Sequence, residues 1–141
     1  MNKKKLIVLL FVGATSICFA QAIKQKDKYG ASHYFEDGYY LKQNDKYGKA
    51  LYYYDEFTIK QKDKYGNSLF YIDGQVVKQK DKYGEALYYF DGNTIREKDK
   101  YGKALYFIDG QTLKMKDQYG NAIYYFEGIP KKWILVCILS E

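Results

Sequence analysis

Proline is almost missing from this chain of 141 residues: Pro130 is the single instance, and it lies close to the C-terminus. That excludes collagen-like and polyproline structure and leaves the turns to glycine and aspartate. Cysteine is as scarce, with Cys18 and Cys137 the only two, so neither a disulfide scaffold nor a cysteine-ligated zinc site can be built. One histidine, His33, and one tryptophan, Trp133, complete the list of rarities. A lone histidine provides no metal-ligand set and no Ser-His-Asp or Cys-His nucleophile system, and no phosphate loop is present. No catalytic residue, metal site or cofactor is therefore assigned, and the chain reads as non-enzymatic. Long apolar runs are missing too. Beyond the first 20 residues the longest is residues 133–139, seven in all, far short of the ~20 needed to cross a bilayer as a helix.

Charge of one sign is also lacking. The formal net charge is +6, but Lys3, Lys4 and Lys5 supply half of it. The remainder, 20 basic against 17 acidic residues, is spread evenly along the chain. Nucleic acid is not the expected partner, because that would call for a concentrated basic stripe.

What the chain does have is one unit of 18 residues written six times, starting at Ile23, Leu41, Ile59, Val77, Ile95 and Leu113. A repeat this short cannot bury its own apolar face, so the copies must stack or close around an axis. Each holds two turn signals. The first is an Asp-x-Tyr-Gly turn built on the pairs Asp27 and Gly30, Asp45 and Gly48, Asp63 and Gly66, Asp81 and Gly84, Asp99 and Gly102, and Asp117 and Gly120. The aspartate can hydrogen-bond its own backbone, and the glycine is expected to supply a left-handed conformation. The second signal is Asp-Gly, as in Asp91-Gly92, expected to form a two-residue hairpin loop with both residues at positive φ. Copy two breaks it with Asp55-Glu56 and copy six softens it to Glu127-Gly128, and those two hairpins are expected to be the loosest.

Aromatic and β-branched runs of about six residues lie between the turns, which suits strands of ~20 Å. The fold class is all-β: about twelve short antiparallel strands in six tandem hairpins. Closure into a ring or shallow barrel is favoured over an open ribbon or solenoid, because it buries one face and removes the edges. Taking Asp91-Gly92 as the loop sets Phe90 opposite Asn93 and Tyr88 opposite Ile95. Ala86, Tyr88, Phe90 and Ile95 then form the core face, and Leu87, Tyr89, Thr94 and Arg96 the outer one.

Residues 1–20 read as a secretory signal peptide, with a basic start, a short apolar core and small residues ahead of Gln21. Cleavage is expected after Ala20, or after Ala22 as second choice; a retained anchor is the competing reading. The implied location is the bacterial periplasm, cell surface or exterior. Residues 21–128 are the hairpin array and residues 129–141 a divergent apolar tail, expected to be a closing strand or a plug. Were the tail free it would aggregate.

The unit Tyr-Gly-x-Ala-Leu-Tyr-Tyr-x-Asp-Gly-x-Thr-Ile resembles the repeats of the bacterial β-flower proteins. The resemblance implies hairpins radiating about a pseudo-symmetry axis to form a shallow bucket, with no activity attached. That family is familiar in a four-fold arrangement, whereas six copies stand here.

Three features invite a functional reading. His33 replaces the Leu or Ile of the other copies and reads as an end-copy substitution. The repeated aspartates suggest calcium, but the turn explains them without metal. Tyr29, Tyr47, Tyr65, Tyr83, Tyr101 and Tyr119 recur at a turn position that does not itself require tyrosine. The favoured structural account packs them against the next hairpin. The functional account makes them a binding rim for a glycan or an extended partner such as an envelope protein, since tyrosine joins a flat apolar face to a hydroxyl; a separate reading has the Lys-Tyr surfaces and the C-terminal apolar run meet a lipid surface.

Overall fold

The computed structural model describes residues 20–141; the rest of the expected signal peptide, with Cys18, lies outside the described residues, whereas both expected cleavage points, after Ala20 and after Ala22, fall within them. Twelve antiparallel strands form a closed barrel: β1 (Ala20–Gln25), β2 (Ser32–Asp37), β3 (Tyr40–Gln43), β4 (Ala50–Asp55), β5 (Thr58–Gln61), β6 (Ser68–Asp73), β7 (Val76–Gln79), β8 (Ala86–Asp91), β9 (Thr94–Glu97), β10 (Ala104–Asp109), β11 (Thr112–Met115) and β12 (Ala122–Phe126). One helix, α1 (Lys132–Leu139), follows. The strands alternate between five or six residues and four, apart from six-residue β1, so the barrel is shallow, and the return strands are shorter than the sequence runs suggest.

The hairpin loop is displaced by one residue from Asp-Gly. Asp91 pairs with Thr94 and Phe90 with Ile95, so Gly92 and Asn93 make the loop. Gly92 has φ 60°, while Asn93 is not at positive φ, the pattern of a type II′ turn rather than two left-handed residues. Because the pairing slips by two, Tyr88, Phe90 and Ile95 still share the inner face. In copy two the same position is Glu56, at φ 62°. The hairpin keeps its register, so the break in the motif appears as backbone strain rather than a loose loop. Glu56→Gly is expected to stabilise the protein by about 1 kcal/mol, read as a raised urea midpoint at unchanged slope.

A β-bulge recurs once per copy. Between β9 and β10, Ala104 faces Arg96 and Tyr106 faces Ile95, leaving Leu105 as the extra residue. His33, Leu51, Leu69, Leu87 and Ile123 are the other five. The bulge reverses the alternation of faces. Ala86, expected in the core, therefore lies opposite Lys78 on the outer face, whereas Leu51, Leu69 and Ile123 pack on the core. Each bulge carbonyl accepts a backbone N–H from the first turn residue of an adjoining strand, as in Lys80 N to Leu69 O at 2.8 Å and Lys26 N to Ile123 O at 2.7 Å. Six such bends curve the sheet enough to close.

Closure is made by β1, not by the tail. Ile23 pairs with Phe126 and Lys24 with Tyr125, the register in which Ile95 pairs with Phe90 and Arg96 with Tyr89. The sixth hairpin is thus assembled from the two ends of the chain. Glu127-Gly128 is accordingly no hairpin turn, as the sequence suggested, but the point where the chain leaves the wall. The repeated ion pair between Lys78 and Asp73, 3.1 Å, reappears across the seam as Lys24 and Glu127, 3.2 Å. The Glu127 carboxyl sits below its ordinary pKa, held down chiefly by the Ala22 N–H; burial opposes this, and Lys24 adds to the lowering.

Twelve strands enclose more space than side chains alone can fill, and α1 fills it. Trp133, Ile134, Leu135, Val136, Cys137 and Ile138 are all buried, around the whole helix circumference. They meet an inward ring of Ile23, Leu41, Ile59, Val77, Ile95 and Leu113, each fully buried and each the first residue of its copy. Trp133 stacks on Tyr54, centroids 5.1 Å apart and planes 3° from parallel. The tail is a plug, as one of the two expectations had it, but a helical one and not a strand. It enters from the hairpin-loop end, where Lys131 meets Glu36 at 2.5 Å and Lys132 donates to Gly74 O at 2.9 Å. It finishes at the turn end, where Glu141 accepts a hydrogen bond from the Tyr52 hydroxyl.

Candidate functional site

Six copies of one turn occupy one end of the barrel, and their chemistry follows from backbone geometry. In the first, Lys26 has φ 69° and Asp27 N donates to Gln25 O at 2.8 Å, a three-residue turn of the strained, positive-φ kind. Asp27 Oδ1 then accepts from Tyr29 N at 2.9 Å, and Gly30 N donates to Asp27 O at 2.9 Å. The left-handed residue is therefore Lys26, with Asn44, Lys62, Lys80, Lys98 and Lys116 as its equivalents. Gly30 is not left-handed, contrary to the sequence expectation; it is required because a Cβ there would lie 1.7 Å from Gln25 O. The aspartates do hold the turn, as the repeated hydrogen bonds to Tyr47, Tyr65, Tyr83, Tyr101 and Tyr119 N–H groups attest.

The consequence for the tyrosines is exposure. Tyr29, Tyr47, Tyr65, Tyr83, Tyr101 and Tyr119 are 84–87% exposed, so they do not pack on the next hairpin. The reason is that the Asx turn fixes their backbone at the apex, pointing away from the strands. Lys28, Lys46, Lys64, Lys82 and Lys100 place their ammonium groups 5.1–5.2 Å from the neighbouring Tyr ring centroids. Copy six has Gln118 in that place.

Charge that is even along the sequence becomes uneven in space. The six turn segments carry twelve lysines against six aspartates and one glutamate. At the other end the five hairpin loops contain no lysine, and the adjoining Asp37, Asp55, Asp73, Asp91 and Asp109 are each ion-paired on the outer wall at 2.7–3.3 Å. Exposed pairs of this kind contribute roughly 0.2–1 kcal/mol each. The barrel therefore has a basic, tyrosine-bearing rim and an opposite rim whose acidic groups are matched by paired basic ones.

The remaining singular residues are structural or isolated. His33 lies at the first bulge with its ring 6.2 Å from Tyr34 and 5.9 Å from Tyr124. It borders a pocket of about 410 Å³ with Gln43, Asn44, Lys49 and Glu141. Among the described residues no group of three or more His, Cys, Asp or Glu could hold a metal. Burial first, and the Glu141 contact second, push the Tyr52 phenol far above its ordinary pKa; burial likewise raises that of the Cys137 thiol.

One constellation escaped the reading of the sequence. Glu36 is fully buried, accepts from Gln21 Nε2 at 2.7 Å and pairs with Lys131; Gln21 also donates to Ile129 O and accepts from Gly128 N, both at 2.8 Å. This network locks both chain ends to the first hairpin. Its signal was present, since Glu36 stands where the other copies have Tyr54, Ile72, Phe90, Ile108 and Phe126.

No family model matches the chain, and no curated protein or solved structure is significantly similar to it.

Proposed function

We propose that the protein is an exported, non-enzymatic binding module of the bacterial cell envelope that docks its basic, tyrosine-bearing rim on an anionic lipid surface. The observation that carries this reading is the gathering of six highly exposed tyrosines and twelve lysines at one end of the barrel. A linear glycan reaches only neighbouring members of such a ring, whereas a membrane surface meets all of them together. Lysine near an anionic bilayer contributes about 1 kcal/mol per residue, and tyrosine suits the headgroup layer. The apolar tail plays no part in this contact because it is buried inside the barrel. Nor does the barrel span the membrane: strands of four to six residues fall short of the ~9–11 required, and the outer wall is ringed with ion pairs.

Co-sedimentation with phosphatidylglycerol–phosphatidylcholine vesicles tests it. Binding is expected at low salt, is expected to fade as salt is raised, and should be absent with phosphatidylcholine alone. Lys82→Glu together with Lys100→Glu is expected to weaken it by at least about tenfold without lowering the thermal midpoint. Failure to sediment overturns the reading. Binding to a neutral glycan that is lost in Tyr83→Ala with Tyr101→Ala would replace it with a glycan-binding rim.

A further inference from the structure

The repeat departs from itself on the outer wall between the first two hairpins, and the departure is aromatic. Tyr40 stands where Thr58, Thr94 and Thr112 stand in other copies, and Tyr39 where Gln75 and Gln111 stand; Phe57 is aromatic at the Tyr39 position too, but is followed by Thr58 and so has no second ring next to it in the chain. Tyr39 occupies the second loop position after Gly38 and is 64% exposed. Tyr40 lies across the strand pair from Tyr53, ring centroids 5.0 Å apart at 64°, and Tyr39 approaches the same ring at 6.2 Å and 53°. Beside them is an open pocket of about 470 Å³ lined by Asp37, Gly38, Tyr39, Tyr40, Lys42 and Ala50. That volume is within the ~300–1,000 Å³ usual for small-ligand sites.

We infer that this pocket is a saccharide-binding site for a pyranose whose hydroxyl groups are equatorial, such as a glucose or N-acetylglucosamine unit. A sugar of that kind presents a flat C–H face, which matches a tyrosine ring that is held in place. Tyr53 supplies the hold, since both Tyr39 and Tyr40 lean on it and neither needs to be ordered on binding. Ala50, directly opposite Lys42 in the strand register, keeps the floor open where a longer side chain would fill it. Polar groups stand at the edge: the Asp37 carboxylate, about half exposed, and the Lys42 ammonium, 2.7 Å apart. Asp37 can accept from sugar hydroxyls and Lys42 can donate to one, as the rim of a sugar site requires. The other copies keep the ion pair, with Glu127 in place of the aspartate at the seam, but lack the Tyr39–Tyr40 platform, so the site belongs to the junction of copies one and two.

The repeat itself supplies the test. Tyr39→Gln with Tyr40→Thr gives the first hairpin residues that other hairpins of the same barrel already carry, so the fold is expected to survive. Cellotetraose and chitotetraose are titrated into the protein as exported and purified, and followed by NMR chemical shifts. At least one of them is expected to bind saturably, with shifts at Tyr39, Tyr40 and Ala50. The double variant is expected to weaken that binding at least about tenfold while unfolding at the same temperature as the parent. Lys82→Glu with Lys100→Glu, on the rim, is expected to bind as the parent does. No saturable binding of either sugar overturns the inference, as does undiminished binding by the double variant or loss of binding in the rim variant.

Discussion

Removing residues 129–141 is expected to abolish cooperative folding, although every strand of the barrel is left in the chain. The shortened protein should give a broad, shallow urea transition by far-ultraviolet circular dichroism and bind a hydrophobic dye. The plug buries six consecutive residues, 133–138, whose side chains meet the inward ring that begins every copy. At ~1.5–3 kcal/mol for each large apolar side chain buried, the loss is roughly 10 kcal/mol, as large as the whole stability of an ordinary domain. The emptied interior would also leave Glu36 buried without the Lys131 ammonium, and an uncompensated buried charge is itself costly. A milder form of the same experiment is Leu135→Ala. Leu135 is 1% exposed, and a cavity in a helix surrounded on all sides cannot collapse, so the cost is expected to be about 3–5 kcal/mol. Trp133 fluorescence reports it, because unfolding separates the indole from Tyr54. A truncated protein that unfolds with the parent's midpoint and slope would show that the wall stands without its plug.

Gly84→Ala is expected to destabilise the protein by about 3–5 kcal/mol, whereas Gly92→Ala, eight residues away, should cost only about 1–2 kcal/mol. The two glycines are needed for different reasons. At Gly84 a Cβ would lie 1.6 Å from Gln79 O and 3.1 Å from Asp81 O. Both are backbone atoms, so relief means opening the turn. That sacrifices the Gly84 N to Asp81 O and Gln79 N to Glu85 O bonds, 2.9 and 2.8 Å, at about 1 kcal/mol each. At Gly92 an added Cβ would meet no atom within 4 Å, and only the φ of 60° is unfavourable. Urea denaturation of both single variants measures the contrast. Equal costs would mean that the turn is looser than its hydrogen bonds imply.

The two glycines also mark where the sequence was readable and where it was not. That Gly84 and Gly92 sit in turns follows from their neighbours. That one is demanded by crowding and the other by φ does not, because crowding depends on a carbonyl brought back by the strand pairing. The inner face survived a miscounted loop because the error was an even number of residues, leaving Tyr88, Phe90 and Ile95 together. Ala86 was misplaced because a bulge at Leu87 reverses the alternation, and no residue type at that position announces a bulge. The tyrosine rim was located in the sequence by its period. Its exposure was not, since a turn position says which residue is at the apex but not which way the apex leans. Glu36 was legible as a break in the repeat, yet its partners are Gln21 and Lys131, 15 and 95 residues away.

The sequence by itself determined the all-β class, the hairpin repeat, the approximate place of its turns to within a residue in the first five copies, and the aliphatic position that opens each copy and lines the interior. These rest on interactions between residues close in the chain, which a period of 18 repeats six times over. Only the tertiary structure decided that β1 completes the sixth hairpin, that the tail is a helix, and that evenly spread lysines gather on one rim. Closure depends on curvature summed over six bulges and on pairing between residues about a hundred positions apart. A seven-residue apolar run has no periodicity to separate strand from helix, so the shape of the space left inside the barrel made that choice.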